Sequence, residues 1–322
     1  VVASDRFLLP TPVSLRGIYP HAHYLAQEFT VSAMLPDGSE TTLLDIPDWD
    51  FNWQDDYRLA EPLELPAQTE LRFSVRFDNS AANPQNPNDP PRDVGYGSDS
   101  TNEMAAVHLQ VVPRDAKALH LLKEKLLEER LKKDVDDWAA WNALGEHVVA
   151  KDPKRAEVCF RRASKSNPEY ANPLYHLGLL YQRQGRKGEA AQTYKRAIAL
   201  RPNFAAALAN LGTLEIEMGE AESGIARLRE SIAANPRMAL VFSNLGGALC
   251  ARGNFDEGIT HLQRCIDLDP HTLQAHLNLV RALRLAKRDA EVTGAASQGL
   301  AIARSQGAKS AIAFFENALG SE

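Results

Sequence analysis

Two histidines one residue apart, His21 and His23, carry the clearest chemical signal in this chain. On a β-strand, positions i and i+2 project to one face, so both imidazoles of His21-Ala22-His23 can reach a single ion. A distant methionine, Met104, is a further soft donor of interest. Taken alone these residues leave two readings open: a metal site, or two surface histidines and a methionine that fills core. Other candidate motifs fail. Asp48, Asp50 and Asn52 begin like a calcium loop, but Trp53 stands at the required glycine and Leu59 at the bidentate glutamate. Gly95-Tyr96-Gly97 lacks the third glycine and following helix of a dinucleotide site. Cys159, Cys250 and Cys265 form no CxxC pair and read as buried, inert thiols.

The elements that must hold these residues emerge from a division in composition. Residues 1–112 carry 17 acidic residues, 6 arginines and no lysine, a net charge of −11. The whole chain of 322 residues sums to −6, which leaves the remainder at +5. Twelve of the 18 prolines fall in residues 1–113, and the shift marks a boundary near residue 113. An acidic first part argues against nucleic acid, whose phosphates need clustered Lys and Arg. No apolar run reaches the ~18 residues that span a bilayer.

Residues 29–35 and 40–46 alternate apolar and polar around Pro36-Asp37-Gly38, which predicts a hairpin. Glu70–Phe77 and Ala105–Val112 read as further strands, and Asn79–Gly97, with its Asn-Pro pairs, as a long ordered loop. Short strands with turn residues predict an antiparallel β-sandwich over 1–113. Residues 114–136 predict a helical connector that covers the first repeat of the second half, with Leu121, Leu122, Leu126, Leu127 and Leu131 at helical spacing.

Beyond it, Pro168, Pro202, Pro236 and Pro270 are spaced 34 residues apart. Leu177-Gly178, Leu211-Gly212 and Leu245-Gly246 recur in step, as do Tyr194, Leu228 and Leu262. That period identifies tetratricopeptide repeats, pairs of helices stacked into a solenoid. Five copies are predicted over 137–305, the last decayed, with a capping helix over 306–322. Two residues before the small position stand His176, Asn210, Asn244 and Asn278. Stacked, the three asparagines predict an amide ladder that could bind the backbone of a protein or peptide ligand, with Arg281 and Arg284 as an anchor for an acidic group. Asparagine at this position also serves helix contacts, so both readings stand.

Five runs in one order enlarge the first signal: Tyr19-Pro-His-Ala-His23, Asp50-Phe-Asn-Trp-Gln54, Phe77-Asp-Asn-Ser80, Asn83-Pro with Asn86-Pro, and Asn102-Glu-Met104. Together they resemble the C-terminal half of the copper type II, ascorbate-dependent monooxygenases, over roughly residues 5–112. The resemblance implies a jelly-roll-like sandwich that binds and activates O₂ at a copper held by His21, His23 and Met104. It also implies ascorbate or another electron donor as cosubstrate. A thioether favours Cu(I), and imidazole suits both copper states. The family's other copper sits in an upstream domain, expected to be missing from this chain. Peptidylglycine enzymes carry an arginine and a tyrosine where Tyr19 and His108 stand, so that substrate is not implied. Ala22 and Ala26 replace a methionine and a glycine of the bacterial forms. His108 is expected to point away from the site.

The expectation is thus a multidomain chain, an antiparallel β-sandwich followed by an all-α tetratricopeptide solenoid. Its expected function is copper-dependent C–H hydroxylation, with this piece alone inactive. The alternative is a non-catalytic peptide-binding scaffold with a relic or copper-binding β-domain. The chain opens Val1-Val2 and reads as a processed or truncated piece, with a periplasmic or otherwise extracytoplasmic setting favoured.

Overall fold

Residues 1–94 and 104–320 are described by the computed structural model, in two compact units, Val1–Val135 and Asp136–Glu322. In the first unit the alternating sequence forms β1 (Val2–Leu8), β2 (Val13–Ala22), β3 (Ala26–Met34), β4 (Glu40–Ile46), β5 (Tyr57–Leu65), β6 (Glu70–Phe77) and β7 (Ala105–Pro113). These build two antiparallel sheets, ordered β1-β6-β3-β4 and β5-β2-β7. Phe29, Val31 and Val75 from one sheet share a single apolar core with Val13, Leu15 and Ile18 from the other. The β3–β4 hairpin closes as the sequence predicts. Leu35 N–H donates to Ser39 O at 2.8 Å, and Gly38 takes the positive φ of 87° that the turn demands.

One irregularity decides which way the histidines face. The register of β2 shifts between Leu15 and Gly17 against both neighbours. Buried positions move from Val13 and Leu15 to Ile18, Pro20 and Ala22, so Tyr19 and His21 turn away from the core. Pairing with β5 stops at Ile18, which lets Pro20 sit in the strand without leaving an acceptor unmet there.

Helix α1 (Ala116–Lys133) starts at Asp115, whose carboxylate accepts from Ala118 N–H at 2.8 Å. It belongs to the β unit, where Leu122 joins the core, and the predicted leucine stripe divides: Leu122 and Leu131 are buried, while Leu121 and Leu126 stay exposed.

The second unit consists of helix pairs at the predicted period. They are α2 (Trp138–Val148) with α3 (Pro153–Ser166), α4 (Ala171–Arg183) with α5 (Lys187–Leu200), and α6 (Ala205–Glu217) with α7 (Ala221–Ala234). Next come α8 (Ala239–Ala251) with α9 (Phe255–Leu268), α10 (Leu273–Leu285) with α11 (Asp289–Ser305), and a last helix α12 (Lys309–Leu319). The first four pairs close on a small residue. A Cβ on Gly178 would lie 2.5 Å from the Tyr194 ring, and one on Gly224 2.4 Å from the Gly212 carbonyl. No helix among the described residues is long and apolar enough to cross a membrane. Burial raises the thiol pKa at all three cysteines, to about 11 at Cys159, as expected for unreactive side chains.

Candidate functional site

The antiparallel register of β2 and β7 brings the three candidate ligands together. His21 lies opposite Ala106 and Ala22 opposite Ala105; one step on, His23 N–H donates to Met104 O at 3.1 Å. Residues directly opposite in an antiparallel pair share a face. By the same alternation His21, His23 and Met104 all lie on the outward side of the sheet, away from the core. The two imidazole centroids are 5.2 Å apart and edge-on. His23 is only 4% exposed, while His21 and Met104 are half-buried.

The loop after β4 supplies the next layer. Trp49 N–H donates to Gln27 O at 2.8 Å, and its ring stacks on Phe29 at 5.2 Å. Asp50 then caps a short 3-10 turn, Phe51–Trp53, by accepting from Asn52 N–H at 2.8 Å. This turn sets the Phe51 ring 6.4 Å from that of His23 and aims Gln54 at His21. Gln54 Nε2 donates to the Phe51 carbonyl at 2.8 Å, so its Oε1 faces His21 Nδ1 as an acceptor. With the Gln54 oxygen as acceptor, a neutral His21 would keep its proton on Nδ1 and leave Nε2 free. Gln54 was part of a recognised run, yet its role needed the tertiary contact to emerge.

Two further runs converge on the segment after His23. Asp78 N–H donates to Leu25 O at 2.8 Å, and buried Asn83 donates to Asp78 O at 2.7 Å. Gln27 reaches Asn83 Oδ1 at 3.4 Å, and Asn86 donates to Asn79 Oδ1 at 3.0 Å. Four of the five sequence runs thus meet around residues 23–27. Of the fifth, Met104 is described, whereas Asn102 and Glu103 lie outside the described residues. The expectation for His108 is corrected: it sits opposite Tyr19 with ring centroids 6.0 Å apart, on the face that carries His21.

The ladder positions fall on the first helices of successive pairs. Each already contacts protein. Asn210 donates to Tyr175 Oη at 3.5 Å, Asn244 to Thr213 Oγ1 at 3.0 Å, and Asn278 accepts from Gln274 at 2.8 Å. Asn244 remains exposed, whereas Asn210 also reaches the Tyr194 hydroxyl. His176 stacks on Phe160 and meets Glu146 at 2.8 Å; burial holds its pKa below the usual imidazole value, so it donates as a neutral ring at pH 7. Arg281 is exposed but lies over the Phe314 ring at 5.3 Å, and Arg284 is half-buried.

Comparison with known proteins places the period in a family. The model described as tetratricopeptide repeat matches residues 171–204, and a second of that description matches 209–271 and 243–307. Among solved structures, the chain is similar to YrrB, described as a TPR protein with an unusual peptide-binding site. The identity is 14%, over 56% of this chain and 93% of that one, with a TM-score of 0.50. It is also similar to MamA from Desulfovibrio magneticus RS-1, at 21% identity over 52% and 96% of the chains and a TM-score of 0.46. Likeness to YrrB at that identity shows the fold alone. No curated protein matches the chain.

Proposed function

Because tetratricopeptide repeats build the helical unit, we propose that the chain is a protein-interaction scaffold whose β unit holds one copper. The solenoid would bind an extended segment of a partner along Asn210, Asn244 and Asn278, with Arg281 or Arg284 meeting an acidic group. Their alignment on successive first helices is what supports this reading. Replacing all three asparagines with alanine is expected to weaken a captured partner at least about tenfold, since each net hydrogen bond is worth about 0.5–1.5 kcal/mol. Helical circular dichroism should be unchanged. Unaltered affinity would mean that the amides serve only contacts between repeats.

The donor set fits copper: two imidazoles and one thioether on a single face, with His21 Nε2 left free by Gln54. Here His21, His23 and Met104 would hold the metal. Gln54 would fix the tautomer of His21, and Phe51 would wall off His23 from water. Removing such a supporting contact typically costs about 10–100-fold in metal affinity. Gln54→Leu is therefore expected to weaken copper by that range in a chelator competition, while stoichiometry at saturating copper stays at one. An unchanged affinity would deny Gln54 this role.

A second reading, copper-dependent hydroxylation with O₂ and ascorbate, is favoured by the convergence of the motif runs around residues 23–27. Copper would supply the oxygen chemistry, and the chain would position it. Tyr19 stands where the peptidylglycine enzymes hold substrate with an arginine. Residues 1–322 are accordingly expected to leave glycine-extended peptides unhydroxylated in the presence of ascorbate and O₂, and robust turnover in a product assay would reverse that expectation.

A further inference from the structure

Between the second helices of the first two repeats, α3 and α5, lies a cleft of about 390 Å³ floored by α4. Arg161, Ser164 and Lys165 line it from α3, and Gln192 and Arg196 from α5. Equivalent positions at 34-residue intervals differ sharply from those of this cleft. Ser164 stands where the later repeats carry Ile198, Ile232 and Ile266. Lys165 replaces Ala199, Ala233 and Asp267; Arg196 is matched by Glu230 in the next repeat and by arginine at Arg162 and Arg264. A branched apolar side chain has given way to a hydroxyl, which opens space, and cations rim the opening.

The charges around the cleft are unequal in their freedom. Arg161 is held by Glu157 at 2.7 Å and by Tyr181 Oη at 2.9 Å. Glu189, the one carboxylate on the lining, is bound by Arg186 at 2.6 Å. Lys165 and Arg196 are exposed and make no ion pair with any described residue. Two unpaired cations therefore face each other across helices, with the Ser164 hydroxyl and the Gln192 amide as neutral donors on the same walls. That is more positive charge than one carboxylate requires. An arginine fork and an ammonium suit the multiple oxygens of a phosphate.

We propose that this cleft binds a phosphorylated side chain of a protein partner. It uses the second helices of the repeats, so it stands or falls independently of the amide ladder on the first helices.

The test is a titration of the ¹⁵N-labelled full chain with a short phosphoserine peptide, its serine and aspartate counterparts, and inorganic phosphate. The phosphopeptide should shift resonances of α3, α4 and α5 and bind at least about tenfold tighter than the serine peptide, the gain expected from charge-assisted bonds. Arg196→Glu, which installs the residue of the next repeat, should weaken it about tenfold or more. Ser164→Ile should abolish binding by refilling the space. Arg196 is at the surface, so its variant keeps the test decisive even where Ser164→Ile does not fold. Equal binding of the serine or aspartate peptide would overturn the proposal. So would binding of free phosphate alone, absence of any shift in this region, or binding unchanged in both variants.

Discussion

The His21→Ala, His23→Ala double variant is expected to fall from one copper per chain to none by metal analysis after dialysis. Two of three donors vanish, and a lone thioether is a weak ligand for Cu(II). Both side chains lie on the outward face of the β5-β2-β7 sheet, so the core of Phe29, Val31 and Ile18 is untouched and β-sheet circular dichroism should persist. Undiminished copper in a folded double variant would remove the site from these residues. Met104→Ala should act more selectively, weakening Cu(I) more than Cu(II) because the soft donor is the one lost. A loss equal in both oxidation states would place Met104 outside the coordination shell.

Gly224→Ala is expected to be the most damaging single methyl in the solenoid. The added carbon would sit 2.4 Å from the Gly212 carbonyl oxygen and 2.6 Å from Ile216 Cγ1. The first neighbour is backbone and cannot rotate away, so helices α6 and α7 must separate. Overpacking of this kind costs about 1–3 kcal/mol, and here the upper part of that range applies despite the better helix propensity of alanine. Gly294→Ala supplies the contrast. Nothing lies within 4 Å of its would-be Cβ in the middle of α11, so the same change should stabilise by up to about 1 kcal/mol. Urea melts of the two variants should move in opposite directions. A Gly224→Ala protein as stable as the parent would show that the helix pair can slide apart at no cost.

Legibility in the sequence differs sharply between the two units. In the repeats, each helix pair meets the same neighbours, so Leu177, Leu211 and Leu245 announce their packing through spacing alone. The β unit offers no such redundancy. The hairpin at Gly38 was legible because its turn chemistry is local, and the strands 70–77 and 105–112 because they alternate. Strand β5 was not, since it is an edge strand with Pro62 in it and few buried positions. His108 was placed on the wrong side because the face of a strand depends on its register, and the shift at Gly17 leaves no mark in the alternation of β7. For α1 the leucine spacing revealed a helix, but not which of its leucines would join the β core: Leu122 does, while Leu121 and Leu126 stay exposed. Candidate ligands could be nominated from their runs, whereas the contact of Gln54 with His21 joins residues 33 apart through a turn capped by Asp50.

Helix α12 covers the face of the fifth helix pair. Phe315 is fully buried against Gly299, and Ala311 and Ala318 pack with it onto Val292, Ala296 and Leu300. Its other side is studded with Lys309, Ser310, Glu316 and Asn317. A repeat stack is open to growth in principle, since the last helix pair presents the same adhesive surface that its predecessors used. Here that surface is plugged by a helix that offers no surface of the same kind in return. Cutting α12 away would therefore bare the apolar face that Val292, Ala296, Gly299 and Leu300 present to it, the kind of face by which one repeat takes hold of the next.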